Sequence, residues 1–322
     1  MRLLSCSAGL KLLGDGASAG GSSARRPIDR ARRPSRKDLI LVIDDKVKKV
    51  IKYLQDCEPK EGYYLAFSGG KDSCVCKALL EMAQVKYEAV YRVTSVDPPE
   101  LVRFIRDKYP DVKREVPRDK DGNPVTMWNL IPRRGMPPTF RVRYCCEALK
   151  ETGGDGRKVI TGVRWEESLR RKQNSGLVNI KLNGKIKDLH FSDSFQRVKT
   201  GIILTNDNDE SRLMVEFCYK RTKVTVNPII DWKGSEVWDF ILKNKVPYSE
   251  LYDEGFDRIG CIGCPLACTE KRKIQFERWP KYKTAYINAF QKLSDKLREQ
   301  GKLENSKFGP DGHSMFRWWM KD

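Results

Sequence analysis

The chain has 322 residues and carries 62 Lys and Arg against 43 Asp and Glu, a formal charge of +19. A hydrophobic share of 39% with 10% aromatics is enough to build a sizeable core, which excludes wholesale disorder. No run of about 18 apolar residues occurs, so a membrane-spanning helix is excluded and no membrane partner is expected.

Residues 1–38 stand apart. They hold nine Lys or Arg against three Asp in a Gly-, Ala- and Ser-rich context, leaving +13 of the charge on the rest of the chain. Such a stretch buries too little apolar surface to offset its ordering entropy, so a flexible basic tail is expected. Its composition is open between an organelle leader and an appended tail.

Order is expected from about residue 39. Residues 39–56 repeat apolar positions at helical spacing. Tyr63–Phe67 reads as a buried strand, which runs into Ser68-Gly69-Gly70-Lys71-Asp72-Ser73 and then a helix to about Met82. Tyr87–Thr94 is a second strand, Pro98–Lys108 a helix, Arg157–Arg164 a third strand and Gly234–Asn244 another helix. Strands alternating with helices predict an α/β fold, a Rossmann-like, mainly parallel sheet with crossover helices. Residues 170–226 are polar and irregular, which predicts an insertion. The expected organisation is a tail over 1–38, an α/β domain over 39–245 that carries the SGGKDS segment, and a Cys-containing helical segment over 246–322 packed on that domain. Within the last segment, 269–299 reads as a helical cap.

The strand–SGGKDS–helix passage is the strongest chemical signal. Gly69 and Gly70 permit a tight turn and a close backbone approach. The helix N-terminus adds free N–H groups and a positive dipole end, so an oligophosphate is the natural guest. Ser68 and Ser73 offer hydroxyls and Lys71 a charge; Asp72 is open between holding Mg²⁺ and capping the helix. The spacing is not that of a Walker A loop.

The ten cysteines are clustered rather than spread as a secreted disulfide framework. Cys145-Cys146 and Cys261-x-x-Cys264 supply four thiols, which favours metal or redox chemistry in a reducing cytoplasm. Four thiolates suit a [4Fe–4S] cluster, zinc being the competitor and plain structural thiols the remaining alternative. Cys268 lies one helical turn beyond Cys264 if that segment is helical, and is open between an alternate ligand, a sulfur-carrying thiol and packing. Cys6, Cys57, Cys74, Cys76 and Cys218 read as tail or core residues. His190 and His313 read as surface. The Asn206–Glu210 run reads as a helix start rather than a calcium loop. The aromatic-basic stretch 276–290, with Phe316, Trp318 and Trp319, fits core packing better than base stacking.

SGGKDS resembles the pyrophosphatase-type loop of the adenine nucleotide α-hydrolase-like (PP-loop) superfamily. VTSVDPPEL (93–101), PPTFRVRYCCEALK (137–150), ITGVRWEESLRR (160–171), VNPIIDWKGSEVWDFI (226–241) and VPYSELYDEGFDRIGCIGCPLA (246–267) are similar to its phosphoadenosine phosphosulfate (PAPS) and adenosine phosphosulfate (APS) reductase branch. The resemblance spans roughly 40–295. It implies an enzyme whose loop, Ser68–Ser73, holds the phosphates of ATP or of APS or PAPS, with Lys71 and Asp72 serving catalysis. It places Thr94–Pro98, with Thr94 and Asp97, by the ribose or adenine. Gly162, Arg164, Arg170 and Arg171 complete the anion-binding side, where a planar guanidinium grips two oxygens at once. Arg141 and Arg143 are further candidates for phosphate. It also implies that Cys145, Cys146, Cys261 and Cys264 hold an iron–sulfur cluster.

One departure weighs against the reductase route. The family's reductases use a nucleophilic cysteine in a C-terminal ECG-type segment, whereas the last cysteine here is Cys268 and the sequence ends KFGPDGHSMFRWWMKD. Unless Cys268 or a partner supplies the thiol, ATP-dependent sulfur transfer to nucleic acid, of the DNA phosphorothioation or tRNA thiolation type, is favoured. Its partners would be DNA or tRNA and a cysteine desulfurase. Sulfonucleotide reduction with a thiol-reductant protein is the alternative, and a non-catalytic nucleotide-binding module a third.

Overall fold

The computed structural model describes residues 36–181, 195–198, 201–204 and 223–321. The expected tail up to residue 35, His190, the Asn206–Glu210 run, Cys6 and Cys218 lie outside the described residues. The described elements are α1 (Arg36–Asp56), β1 (Tyr63–Ala66), α2 (Lys71–Ala83), β2 (Tyr87–Arg92), α3 (Pro99–Lys108), β3 (Lys113–Glu115), α4 (Met127–Arg134), α5 (Tyr144–Leu149) and β4 (Lys158–Ile160). They continue with a 3-10 turn at Trp165–Glu167, α6 (Leu169–Asn174), β5 (Val178–Lys181), β6 (Phe195–Val198), β7 (Gly201–Leu204), β8 (Lys223–Val226) and α7 (Gly234–Asn244). A second 3-10 turn at Glu250–Tyr252 leads to α8 (Thr269–Arg278), α9 (Pro280–Glu299) and α10 (Gly312–Lys321).

The strands form one sheet in the order β3-β2-β1-β4-β8-β5-β7-β6. The first five are parallel. The last three are joined antiparallel, β5 against β8 and β7, and β6 against β7. Parallel strands are covered on both faces, so their residues are apolar in runs rather than alternation. In β1, Tyr63 and Leu65 point into the main core, while Tyr64 packs with Val90 and Val159 on the opposite face. α1, α2 and α7 lie together over the main-core face. α2 is almost wholly buried, its Cys74, Val75, Cys76, Leu79 and Leu80 fully so, which makes Cys74 and Cys76 core residues as expected.

The C-terminal helices build a second core. Phe276, Tyr286, Phe290, Phe316 and Trp319 interlock there, Tyr286 and Trp319 with ring centroids 4.7 Å apart. Val96, Met127, Leu130, Ile131 and Tyr144 join the same cluster, so the cap shares its core with the segments that lead to the cysteine pair. The aromatic stretch is therefore packed, not displayed for base stacking.

Several expectations need correction. The first helix begins at Arg36 rather than 39. β2 stops at Arg92, and β4 is only Lys158–Ile160, because the chain after each turns toward the site instead of continuing the ladder. Residues 170–226 are not simply irregular. They contain α6 and four strands, and β8 at the end of that stretch is a central parallel strand. β8 reads KVTV, four residues, too short to stand out in a polar context without its partners.

Candidate nucleotide loop and cysteine site

β1 is the point where the strand order reverses, with β2 on one side and β4 on the other. In open α/β sheets this switch leaves a crevice at the strands' carboxyl ends, where ligands bind. SGGKDS occupies that position. Gly69 takes φ +72°, and a Cβ there would lie 2.8 Å from Leu101 and Ile105 of α3, so turn and close approach both require glycine. Gly70 is the N-cap of α2. The Ser73 hydroxyl donates to the Gly70 carbonyl (2.8 Å) and accepts from the Ser68 N–H (3.3 Å), while the Gly70 N–H donates to Ser68 Oγ (3.4 Å).

Lys71 is buried. Its backbone N–H donates to the Tyr252 hydroxyl (2.9 Å) and its ammonium to the Asp257 carbonyl (3.2 Å). The ammonium also lies 3.8 Å from the Asp72 carboxylate. Asp72 accepts from Arg164 Nε at 2.7 Å, so it is shared between two cations. Arg164 is buried as well and reaches Glu166 (2.9 Å) and the Trp232 carbonyl (3.3 Å). Gly162 lets the chain leaving β4 press on α2, since a Cβ there would sit 2.9 Å from Asp72 backbone and Cβ atoms.

Arg171 is half-buried and ion-paired with Glu167, which also lies 3.8 Å from Arg258. Burial pulls the Arg171 guanidinium below its usual pKa, an effect that the Glu167 charge opposes and the Arg258 charge reinforces. Lys71, Arg164, Arg171 and Arg258 thus form a rim in which each cation is paired with Asp72 or Glu167. Arg170 is exposed on α6 rather than in that rim. Arg143 faces Cys146 instead of the loop, and Arg141 is exposed, its guanidinium 5.3 Å from the Phe140 ring.

The turn after β2 joins the loop region to the cysteines. Thr94 and Asp97 are buried, and Cys261 Sγ lies 3.9 Å from Thr94 Oγ1 and 3.8 Å from Asp97 Oδ1. The Tyr91 hydroxyl donates to Asp97 (2.6 Å), and the Ile262 N–H donates to the Val96 carbonyl (2.8 Å). Lys150 brings its ammonium to the Cys261 thiol. Burial pushes Cys261 up to about 12. Cys146 is held down at about 5, first by the thiol of Cys145, which donates to it, and then by Arg143. Cys145 is pushed up by donating that bond and by burial, and the charges of Cys261 and Cys264 add to the effect. All four thiols therefore face one electrostatic neighbourhood. Cys268 is the N-cap of α8, not one turn along a helix from Cys264.

Among the described residues, no three His, Cys, Asp or Glu side chains converge tightly enough to hold a single metal ion. Four thiols in one neighbourhood, with Lys150 and Arg143 to offset their charge, fit a cluster, whose several irons take their thiolates more widely spread.

Tyr252, Asp257, Arg258 and Lys150 went unassigned in the sequence. All lie within the quoted stretches PPTFRVRYCCEALK and VPYSELYDEGFDRIGCIGCPLA, but only folding shows which of their side chains turn toward the site.

Sheet order and loop define an adenine nucleotide α-hydrolase-like, PP-loop protein. The chain belongs to the phosphoadenosine phosphosulfate reductase domain family, whose profile matches residues 62–267. Over 277 residues it is 29% identical to an uncharacterized protein of Methanocaldococcus jannaschii, covering 82% of this chain and 55% of that one. It is 24% identical over 225 residues to an adenosine 5'-phosphosulfate reductase of Geobacillus kaustophilus, covering 66% of this chain and 77% of that one. The chain spans about half the length of the first of these relatives. A crystal structure of PAPS reductase from Candida auris matches with a TM-score of 0.39 and 14% identity, over 70% of this chain and 95% of that one; likeness that slight carries no functional weight. No described helix is long and apolar enough to cross a membrane.

Proposed function

We propose that this chain is an adenylating sulfurtransferase: it binds ATP at Ser68–Ser73 and uses it to activate a nucleic-acid oxygen for replacement by sulfur. The observation that carries this reading is the Thr94–Asp97 turn. It follows β2 at the crevice and also touches Cys261, so a nucleotide bound there would share a wall with the thiols.

In this reading the N–H groups and hydroxyls of Ser68–Ser73, with Lys71 and Arg164, hold the departing pyrophosphate. Preorganised donors aimed at developing charge are worth about 10²–10³ in rate each. The acceptor oxygen attacks the α-phosphorus, pyrophosphate leaves, and a sulfur nucleophile then displaces AMP. Cys145, Cys146, Cys261 and Cys264 would hold a [4Fe–4S] cluster, which supplies a redox-active, sulfur-handling centre when bound. Cys268, partly exposed and a few residues beyond Cys264, is the thiol that would carry sulfur from a cysteine desulfurase. The basic charge of the chain suits a DNA or tRNA acceptor. Mg²⁺ would accompany the nucleotide rather than displace Arg164 from Asp72.

Sulfonucleotide reduction is the second reading, supported by the match to an adenosine 5'-phosphosulfate reductase. The deciding experiment incubates anaerobically purified protein with α-phosphate-labelled ATP and Mg²⁺, with and without nucleic acid. Labelled AMP or adenylated nucleic acid, with pyrophosphate, supports transfer. Intact ATP together with sulfite release from APS or PAPS transfers the assignment to reduction. Nucleotide binding without turnover of either substrate leaves a binding module.

A further inference from the structure

Two of the donors expected to grip phosphate, both on Lys71, are already engaged by the chain itself. The Lys71 N–H, at the first position of α2, donates to the Tyr252 hydroxyl at 2.9 Å, and the Lys71 ammonium donates to the Asp257 carbonyl at 3.2 Å. The ammonium sits 5.2 Å from the Tyr252 ring centroid, so the phenol covers it. A backbone N–H carries one proton, and an oxygen at 2.9 Å along it fills the place of an incoming phosphate oxygen. Both intruding oxygens come from one short segment, Glu250 to Arg258.

That segment is held from outside mainly by Phe256 against Trp279, centroids 5.5 Å apart, and by surface ion pairs of Asp257 with Lys271 (2.7 Å) and Glu254 with Arg278 (3.3 Å), the ion pairs being worth little where solvent screens them. Leu251 anchors its start in the second core, and Trp238 packs edge-on against Tyr252 with centroids 5.1 Å apart. Asp253, Glu254, Gly255, Asp257 and Arg258 are exposed, and Gly255 takes φ +95°. Three residues beyond Arg258 is Cys261, held against Thr94 and Asp97.

We propose that Glu250–Arg258 is a nucleotide-displaced strap. The Tyr252 hydroxyl and Asp257 carbonyl act as internal stand-ins for two phosphate oxygens, and an oligophosphate must displace them to seat on Lys71. Displacement pulls on the backbone that leads to Cys261, so filling the loop changes the setting of the cysteine site. This rests on the reading that SGGKDS binds an oligophosphate. It adds that the chain's own oxygens hold the loop's donors until a ligand arrives, and that nucleotide and thiols are coupled through this strap. Arg258, now pointed at Glu167, swings with the strap and becomes available to the bound phosphates.

The test is calorimetric titration of ATP and of inorganic pyrophosphate into the unaltered protein and into Tyr252→Phe. Hydrogen–deuterium exchange of the 250–264 backbone is followed in the unaltered protein with and without ATP. Removing the competing hydroxyl leaves the Lys71 N–H without its internal acceptor, so Tyr252→Phe is expected to bind both ligands about five-fold more tightly, one neutral hydrogen bond no longer being broken. Exchange over 250–260 is expected to rise on adding ATP. Unchanged or weaker binding by Tyr252→Phe, or exchange that stays constant or falls, overturns the strap while leaving the loop assignment intact. Failure of the unaltered protein to bind either ligand overturns both.

Discussion

Gly162 shows how one missing side chain keeps the SGGKDS loop in register. The chain leaving β4 approaches α2 so closely that a methyl group would press on Asp72 backbone atoms at 2.9 Å. Backbone cannot rotate away as a side-chain tip does. Gly162→Ala is therefore expected to shift the first turn of α2, costing about 1–3 kcal/mol as overpacking does, and to weaken ATP binding about ten-fold, measured by calorimetry. Unchanged affinity would mean that this turn does not hold the nucleotide. Cys146 illustrates the opposite case, a group defined by what surrounds it. Its thiolate accepts from Cys145 and faces Arg143, and both favour the charged form, holding it down at about 5. Raising pH through that value creates the reactive thiolate. In metal-free protein, alkylation of Cys146 by iodoacetamide, followed by peptide mass spectrometry, should thus reach its midpoint at a pH well below that of an ordinary thiol. Arg143→Ala should move the midpoint upward; an ordinary thiol profile in the unaltered protein would refute the pairing.

At the scale of elements, the C-terminal helices determine where half of the cysteine site sits. Gln275 of α8 accepts from the Gly263 N–H (2.8 Å), and Tyr286 of α9 donates to the Ile262 carbonyl (3.0 Å), so both helices grip the CxxC turn. Trp319 of α10 is fully buried against Tyr286, Phe290 and Phe276, donates its indole N–H to the Pro138 carbonyl (2.6 Å), and stacks under the buried Arg272 guanidinium 4.1 Å away. One side chain thereby ties the cap to the segment that leads to Cys145. Trp319→Ala removes that packing and is expected to cost about 3–5 kcal/mol in denaturant unfolding. A loss under about 1 kcal/mol would show that the cap packs independently of α10. The periodicity of 276–290 is enough to predict burial. That these aromatics also hold the CxxC turn is not legible in it, because no spacing rule records which loop a buried face meets.

For the whole molecule, the candidate cysteine site exists only where two segments distant in sequence meet, Cys145 packing in the same second core as the cap helices that hold the CxxC turn. On the proposed [4Fe–4S] assignment, Cys145→Ser and Cys264→Ser are each expected to lower iron from about four per chain to well below one in anaerobically purified protein, since such a cluster would need both halves. Full iron content in both variants would remove these residues from the ligand set. The α/β class, the SGGKDS loop, the clustered thiols and the family are legible along the chain, because each is carried by contiguous residues: a buried strand running into glycines, a CC pair, a CxxC turn. Sequence pattern alone misreads 170–226, where β8 is short and acquires its identity only between β4 and β5. It also places Arg170 with Arg171, although α6 turns one outward and the other toward Glu167. Folding alone brings Tyr252 and Asp257 onto Lys71, pairs Arg164 with Asp72, and sets Thr94 and Asp97 against Cys261. Those contacts join residues far apart along the chain, and their geometry is fixed by sheet order and helix packing rather than by any local pattern.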